Sequence, residues 1–182
     1  MMKAANQKKY IWEQFYSLLT NEEWLFSKIP INTICEQSGI HRSTFYRLFH
    51  DKYNLLEFGI SILWGQFTEI NIHDRIHQPF QTADAFYKFS KARKLISHHV
   101  NDEPFNLFLT DYLSNLFEIE MDHYFEKMPS TSFEPSFVSK YILSNINFLD
   151  NWNKSLTKKL TPKELDSLYH KLILKDLFQS NT

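Results

Sequence analysis

The spacing of apolar side chains predicts an all-α protein. They recur at intervals of three and four residues along most of the chain, and they nowhere alternate with period two over a useful length. The predicted helices cover 8–19, 31–38, 41–49, 51–72, 83–100, 105–128, 137–156 and 161–178. Asp51 is predicted to cap the fourth of these, whose buried residues would be Leu55, Leu56, Ile60, Leu63 and Phe67. Residues 101–104, which include Asp102, predict a helix start, and Thr161 with Glu164 predicts a capping box at another. Pro79 and the pair Gln81-Thr82 predict a break before the fifth helix. Residues 129–135, PSTSFEP, predict a mobile surface loop.

Two of the shorter helices are joined by a tight glycine turn. The first places small or apolar residues at i, i+3, i+4 and i+7, which are Ile31, Ile34, Cys35 and Ser38. Gly39 follows where a left-handed backbone conformation ends a helix. The second helix is predicted to bury Phe45, Leu48 and Phe49. Its outward residues are two arginines, two hydroxyls and a phenol, which are Arg42, Arg47, Ser43, Thr44 and Tyr46. This layout is typical of a helix-turn-helix that enters a DNA groove.

The same segment resembles the N-terminal DNA-binding signature of TetR-type transcriptional regulators. The resemblance is carried by Thr33-Ile34-Cys35, Ser38-Gly39-Ile40, Arg42-Ser43-Thr44-Phe45-Tyr46, Phe49, Asp51-Lys52 and Leu55-Leu56. Two positions depart from the family pattern. Pro30 stands where the family usually has a capping Thr, although Pro is tolerated in a first helical turn. His41 stands where Ser is common before the recognition helix.

The resemblance implies a domain organisation and a set of partners. Residues 1–56 would form a three-helix DNA-binding domain, and a long helix would join it to a helical regulatory and dimerisation domain, residues 57–182. The last two helices, 137–156 and 161–178, would form a homodimer interface; the alternative is that they only close the monomer core. The dimer would bind a palindromic duplex operator, most simply as a repressor, and the family favours a small-molecule effector without identifying its chemistry.

The outward face and the resemblance together nominate a DNA-binding set: Asn32, Thr33, His41, Arg42, Ser43, Thr44, Tyr46, Arg47 and Lys52. Within it, Arg42 and Ser43 are assigned to base edges and Arg47 to a further basic contact. Thr44, Tyr46 and Lys52 are assigned to phosphates, because phosphate contacts position a protein while base contacts specify the sequence.

Aromatic residues of the second part of the chain are candidates for an effector pocket, since helical sensor domains bind small molecules between largely apolar walls. The candidates are Phe86, Phe89, Phe108, Tyr112, Phe148 and Trp152. Ordinary core packing is the alternative for each of them. Gly59 and Gly65, inside the 51–72 helix, are open to two interpretations as well: close packing against another helix, or a softened lever between domains.

Charge and composition add modest constraints. Residues 1–56 contain seven Lys or Arg and five Asp or Glu, a net charge of +2, whereas the remainder carries thirteen and sixteen, a net charge of −3. This sign is expected if the N-terminal part faces phosphates. The single Cys35 excludes an internal disulfide and is predicted to be a small buried hydrophobe. No apolar run follows Met1-Met2-Lys3 or approaches the length of a membrane span, so we expect a cytoplasmic protein.

Other chemistry finds little support in the sequence. No nucleophile elbow, glycine-rich phosphate loop or metalloprotease pattern is present, so we predict no enzymatic activity and no cofactor. His73 and His77 have the i, i+4 spacing of metal ligands, but no Cys accompanies them, and we predict no metal site. Two rival functions remain: a helical ligand or metal sensor that has lost tight DNA binding, and an interaction protein that uses its apolar C-terminal faces. Salt-dependent binding to duplex DNA separates them from the regulator.

Overall fold

The computed structural model describes residues 4–127 and 133–177, apart from the side chain of Asp176. Within these ranges the protein is all-α and contains no strand, so the predicted fold class is confirmed. The helices are α1 Ala4–Leu19, α2 Ile31–Gln37, α3 Arg42–Leu48, α4 Lys52–Thr68, α5 Ile72–His77, α6 Pro79–Phe89, α7 Lys91–His98, α8 Glu103–Phe125, α9 Pro135–Ser155 and α10 Pro162–Tyr169. A 3₁₀ turn, Phe26–Lys28, precedes α2, and a π-helical stretch, His170–Leu174, continues α10 into a last turn, Lys175–Leu177.

The described residues divide into two compact units. Unit 1 contains the chain up to Gly65 and Phe89–Tyr112, and unit 2 contains Gln66–Lys88 and the chain from Leu113 onward. The predicted domain boundary follows residue 56, whereas unit 1 runs further along α4 and includes a second segment that is distant in sequence. Unit 1 therefore consists of the candidate DNA-binding helices together with α7 and the first part of α8.

The core of unit 1 is built from the apolar faces of its helices. It includes the fully buried residues Ile11, Phe15, Phe26, Ile34, Phe45, Leu55, Leu56 and Phe105. Gly39 has a φ of +61°, the left-handed conformation expected after α2. A Cβ on Gly59 would collide with the indole ring of Trp12, whereas a Cβ on Gly65 would meet nothing within 4 Å. Gly59 is therefore a close-packing residue that lets α1 approach α4.

Unit 2 has its own apolar cluster, formed by α5, α6, α8, α9 and the last helical segment. Its buried members include Phe80, Phe125, Val138, Ile142, Leu149, Leu165 and Tyr169. The predicted capping box is present, because the Thr161 side chain accepts from the Glu164 amide and the Glu164 carboxylate accepts from the Thr161 amide. This cap fixes where α10 begins.

Several predicted boundaries were wrong. The 51–72 helix ends at Thr68, because Asn71 caps the separate helix α5 by accepting from the His73 amide. Its predicted cap is confirmed: Asp51 Oδ1 accepts from the Asn54 amide at 2.8 Å. The predicted buried residues Leu63 and Phe67 are half-buried, and Trp64 is buried instead.

The region after residue 78 also differs from the prediction. Pro79 begins a helix instead of breaking one, since a proline needs no amide partner in a first turn. The single 83–100 helix is two helices, because Ser90 caps α7 by accepting from the Ala92 amide at 3.1 Å. Most of the predicted 129–135 loop and the predicted helix end at residue 178 lie outside the described residues. None of the described helices has both the length and the apolar character needed to cross a membrane.

Candidate nucleic-acid interface

Helix α3 presents a polar face because two phenylalanines fix its other side. Phe45 and Phe49 are buried, with ring centroids 5.8 Å apart. Their burial leaves most of the predicted recognition residues exposed, namely Arg42, Ser43, Tyr46 and Arg47. Thr44 on the same helix is half-buried. The predicted burial of Phe45 and Phe49 is therefore confirmed, whereas Leu48, which was also predicted to be buried, is half-buried.

A hydrogen-bonded group of three side chains connects α2 to α3. The Arg42 guanidinium donates to Asn32 Oδ1 at 2.8 Å and to the Tyr46 hydroxyl at 3.1 Å. It also lies 5.6 Å from the centre of the Tyr46 ring. Asn32 and Tyr46 are themselves exposed, so the group stands on the surface. A guanidinium has five N–H groups, so these two bonds hold Arg42 while leaving three N–H groups to a ligand.

The two helices of the motif begin without a side-chain cap, as expected from the two departures from the family pattern, Pro30 and His41. Pro30 and His41 occupy the residues before α2 and α3 with extended backbones, and neither side chain caps its helix. His41 is exposed, and Thr33, in the first turn of α2, is half-buried. Cys35 is buried, and burial raises the pKa of its thiol. It is therefore the small hydrophobe that was predicted.

Lys52 differs from the rest of the nominated set. Its ammonium group is half-buried and donates to the carbonyl oxygens of Phe26, Ser27 and Ile29 at 2.9, 3.1 and 3.1 Å. Those bonds use all three ammonium protons. Lys52 thus binds the backbone before α2 in this structure, and its phosphate contact stays a prediction.

The six nominated pocket residues are divided between the two units. Phe86, Phe148 and Trp152 belong to unit 2, whereas Phe89, Phe108 and Tyr112 belong to unit 1. Phe86 is buried against Phe67, and Phe108 packs against Tyr53. Phe89 is 87% exposed, and Phe148 and Trp152 are exposed on α9. These three side chains lie on the surface, Phe89 at the end of α6 and the other two on an apolar face of α9 that the core only partly covers. Their role in a pocket stays a prediction. Two surface depressions, of about 530 and 380 Å³, have linings that include none of the six.

Three histidines of unit 2, His73, His77 and His170, form a cluster that does not resemble a metal centre. The His73 and His77 rings are stacked with centroids 4.1 Å apart, and His170 Nε2 lies 2.5 Å from the His77 carbonyl oxygen. Stacked rings direct their nitrogens along parallel lines instead of toward one ion. Burial, with the neighbouring His73 and His170, lowers the pKa of His77. No group of three or more His, Cys, Asp or Glu side chains in the described ranges is arranged to hold a metal.

Two residues next to this interface were missed by the sequence reasoning. His98 Nε2 donates to the Trp24 carbonyl oxygen, and the buried Asp102 accepts from the Ser27 amide. Asp102 was interpreted only as part of a helix start. No pattern in the sequence could have linked these residues to partners more than seventy positions away. No protein-family model and no curated protein sequence matches this chain.

Proposed function

We propose that this protein is a TetR-like transcriptional regulator that binds a palindromic duplex operator as a homodimer and acts as a repressor. The observation that carries the proposal is the Arg42 group: an exposed guanidinium held by Asn32 and Tyr46 on two short helices joined by a left-handed glycine. Arginine is the side chain that most often reads guanine, because its fork matches the two acceptors of that base in the major groove.

The surroundings of Arg42 suit DNA more than another ligand. A held guanidinium loses less conformational entropy when it binds, which favours a specific contact. Ser43 and Arg47 are exposed on the same helix. Hydroxyl and arginine groups supply contacts to phosphate oxygens. The small basic excess of this part of the chain means that weak non-specific attraction contributes little, so affinity depends on the base contacts.

Dimerisation is supported by an exposed aromatic stripe on α9, formed by Phe137, Tyr141, Phe148 and Trp152. These residues recur at i, i+4, i+11 and i+15, which places them on one helix face. They are 54, 37, 63 and 38% exposed. Large apolar patches at a protein surface mark interaction sites. A second copy of the chain suits the stripe, because a dimer that places recognition helices about 34 Å apart reads two successive major grooves.

Control by a small molecule is the part of the proposal that depends on the resemblance alone. In that scheme an effector bound in the helical C-terminal region changes the separation of the two recognition helices and releases the operator. A few ångströms of change are enough, since the spacing must match one DNA turn. The proposal places the protein in the cytoplasm, where it has access to the operator.

The test begins with selection of bound sequences from a library of random duplexes, followed by titration of the selected duplex. Arg42→Ala should weaken binding by about 1 to 3 kcal/mol and relax the preference at one base position. Arg93→Ala is the matched control, because Arg93 is an exposed arginine on α7 whose removal changes the net charge equally. It should leave affinity and preference unchanged.

Three results would count against the proposal. Equal losses for the two arginine variants would show that only net charge matters. A selected sequence without twofold symmetry, bound by a single chain, would remove the dimer. A wild-type protein that shows no salt-dependent binding to any duplex would favour the helical sensor or the interaction protein.

A further inference from the structure

The segment Trp24–Ile29 is the piece of backbone that positions α2. It contains the 3₁₀ turn, and it is anchored by Phe26 and Ile29, both buried. Pro30 follows directly and is the residue before α2. Because the φ angle of a proline is restricted, backbone rotation at Pro30 can compensate little for a displacement of this segment. A displacement of the segment therefore also moves α2. α2 in turn carries Asn32, the residue that holds Arg42.

One side of the segment is bound by Lys52, the first residue of α4. Its three hydrogen bonds end on the Phe26, Ser27 and Ile29 carbonyl oxygens, and its ammonium group lies 4.7 Å from the centre of the Phe26 ring. Burial lowers the pKa of Lys52, and the charge of Asp102 raises it in part. The three carbonyl oxygens thus hold a half-buried ammonium group.

The other side is bound by the last residue of α7 and by the turn that follows it. Asp102 Oδ2 accepts from the Ser27 amide at 2.8 Å, and His98 Nε2 donates to the Trp24 carbonyl oxygen at 2.9 Å. Asp102 is 2% exposed, and its Oδ1 accepts no hydrogen bond from any residue in the described ranges. A buried carboxylate in this state is costly unless a cation is near, and Lys52 supplies that charge. The turn itself is braced by Asn106, whose amide donates to the His99 and Val100 carbonyl oxygens.

We propose that Lys52, His98 and Asp102 are positioning residues for DNA recognition: they lock the Trp24–Ile29 segment and thereby set where α2 and α3 stand, without touching DNA. This inference rests on the proposed function for its effect on binding, whereas the lock itself exists in the free protein. If the turn after α7 is displaced, its hydrogen bonds to the Trp24–Ile29 segment change and the position of α3 changes with them. The lock also separates Lys52 from the phosphate contacts.

The experiment compares Lys52→Met and Lys52→Arg by titrating the selected duplex at several salt concentrations. If Lys52 is part of a lock, both variants bind roughly tenfold more weakly, and the dependence on salt keeps the wild-type slope. Arginine fails here because its planar fork cannot donate to three carbonyls around one nitrogen position. Lys28→Met is the matched control, because Lys28 is an exposed lysine in the same segment. That control changes neither the position of α2 nor the bonds of Lys52.

Two outcomes overturn the lock. If Lys52→Met lowers the salt slope by about one unit and Lys52→Arg binds normally, Lys52 is a phosphate contact. If both variants lose thermal stability but bind with wild-type affinity, Lys52 serves the fold alone. Hydrogen exchange of the wild-type Ser27 amide tests the lock without DNA and without a variant that could unfold. A protected Ser27 amide in a protein that binds no duplex would reject the proposed function and keep the lock, and an unprotected one would reject the lock itself.

Discussion

Among the described residues, each unit contains one buried aspartate whose carboxylate accepts hydrogen bonds from a distant part of the chain. The two carboxylates differ in how many hydrogen bonds they accept. Asp166, in unit 2, uses both carboxylate oxygens. Oδ1 accepts from the Phe80 amide at 2.9 Å, and Oδ2 accepts from the amide and the side chain of Gln81 at 3.0 and 2.9 Å. Asp102, in unit 1, accepts one bond, from Ser27, and keeps its other oxygen buried without one in the described part of the chain.

This difference suggests that Asp166 is a structural helix cap, whereas the hydrogen bonding of Asp102 is more easily altered. Asp166 satisfies the first amides of α6, groups that no other residue of that helix can satisfy, and its charge suits a helix start. Asp102 interacts with the charges around it: burial lowers the pKa values of Lys52 and His99, and the charge of Asp102 partly offsets that lowering. We expect any substitution of Asp166 to lower the free energy of unfolding substantially. We expect the effect of substituting Asp102 to be smaller.

The largest effect is expected from Asp166→Ala. The variant loses three hydrogen bonds to a charged acceptor and leaves their donors without a partner. The free energy of unfolding should therefore fall by about 3 kcal/mol. Urea denaturation followed by circular dichroism measures it. Asp150→Ala is the control, because Asp150 makes a surface ion pair with Lys154 at 2.5 Å on α9. Its loss should stay within about 0.5 kcal/mol. Similar losses for both variants would contradict a capping role for Asp166.

A sharper comparison replaces each buried aspartate by asparagine. At position 166 an amide group would point its N–H at a donor on one side or the other, so Asp166→Asn should cost about 2 kcal/mol. At position 102 the amide oxygen can still accept from Ser27, so Asp102→Asn should cost under about 1 kcal/mol. If the order of the two losses is reversed in urea titrations, the distinction between the two sites is wrong.

The smallest effect is expected on the pH dependence of stability, through His99. His99 is buried, its Nδ1 donates to the Leu95 carbonyl oxygen, and burial lowers its pKa below the usual value. Below about pH 6.5 the unfolded chain therefore takes up a proton that the folded protein refuses, and stability falls as the pH falls. One such histidine contributes a slope of at most about 1.4 kcal/mol per pH unit.

His99→Asn should flatten this slope, since an amide keeps a donor for Leu95 and does not titrate. His77→Asn in unit 2 is the comparison: the pKa of His77 is also lowered, but its side chain is only half-buried. Unfolding free energies measured from pH 7.5 to pH 5 should show the larger flattening for His99→Asn. A wild-type slope in both variants would show that neither imidazole controls acid stability.

Local sequence signals were sufficient wherever neighbouring residues decide the outcome. The helical period predicted the all-α class, and Gly39 predicted the left-handed turn. Thr161 and Glu164, three positions apart, predicted the capping box. The outward face of α3 followed from the spacing of Phe45 and Phe49. Each of these depends on backbone geometry within one or two turns, which side chains a few positions apart determine.

Other features depended on contacts between distant segments. Phe89, Phe148 and Trp152 were candidates for a pocket or for the core, yet their exposure was decided by which faces other helices cover. Lys52 was indistinguishable from a phosphate-binding lysine until the carbonyls of residues 26–29 were placed around it. The burial of Asp102 and Asp166 came from packing against segments more than seventy positions away. Burial and pairing are properties of a three-dimensional neighbourhood, so period and composition along one dimension cannot report them.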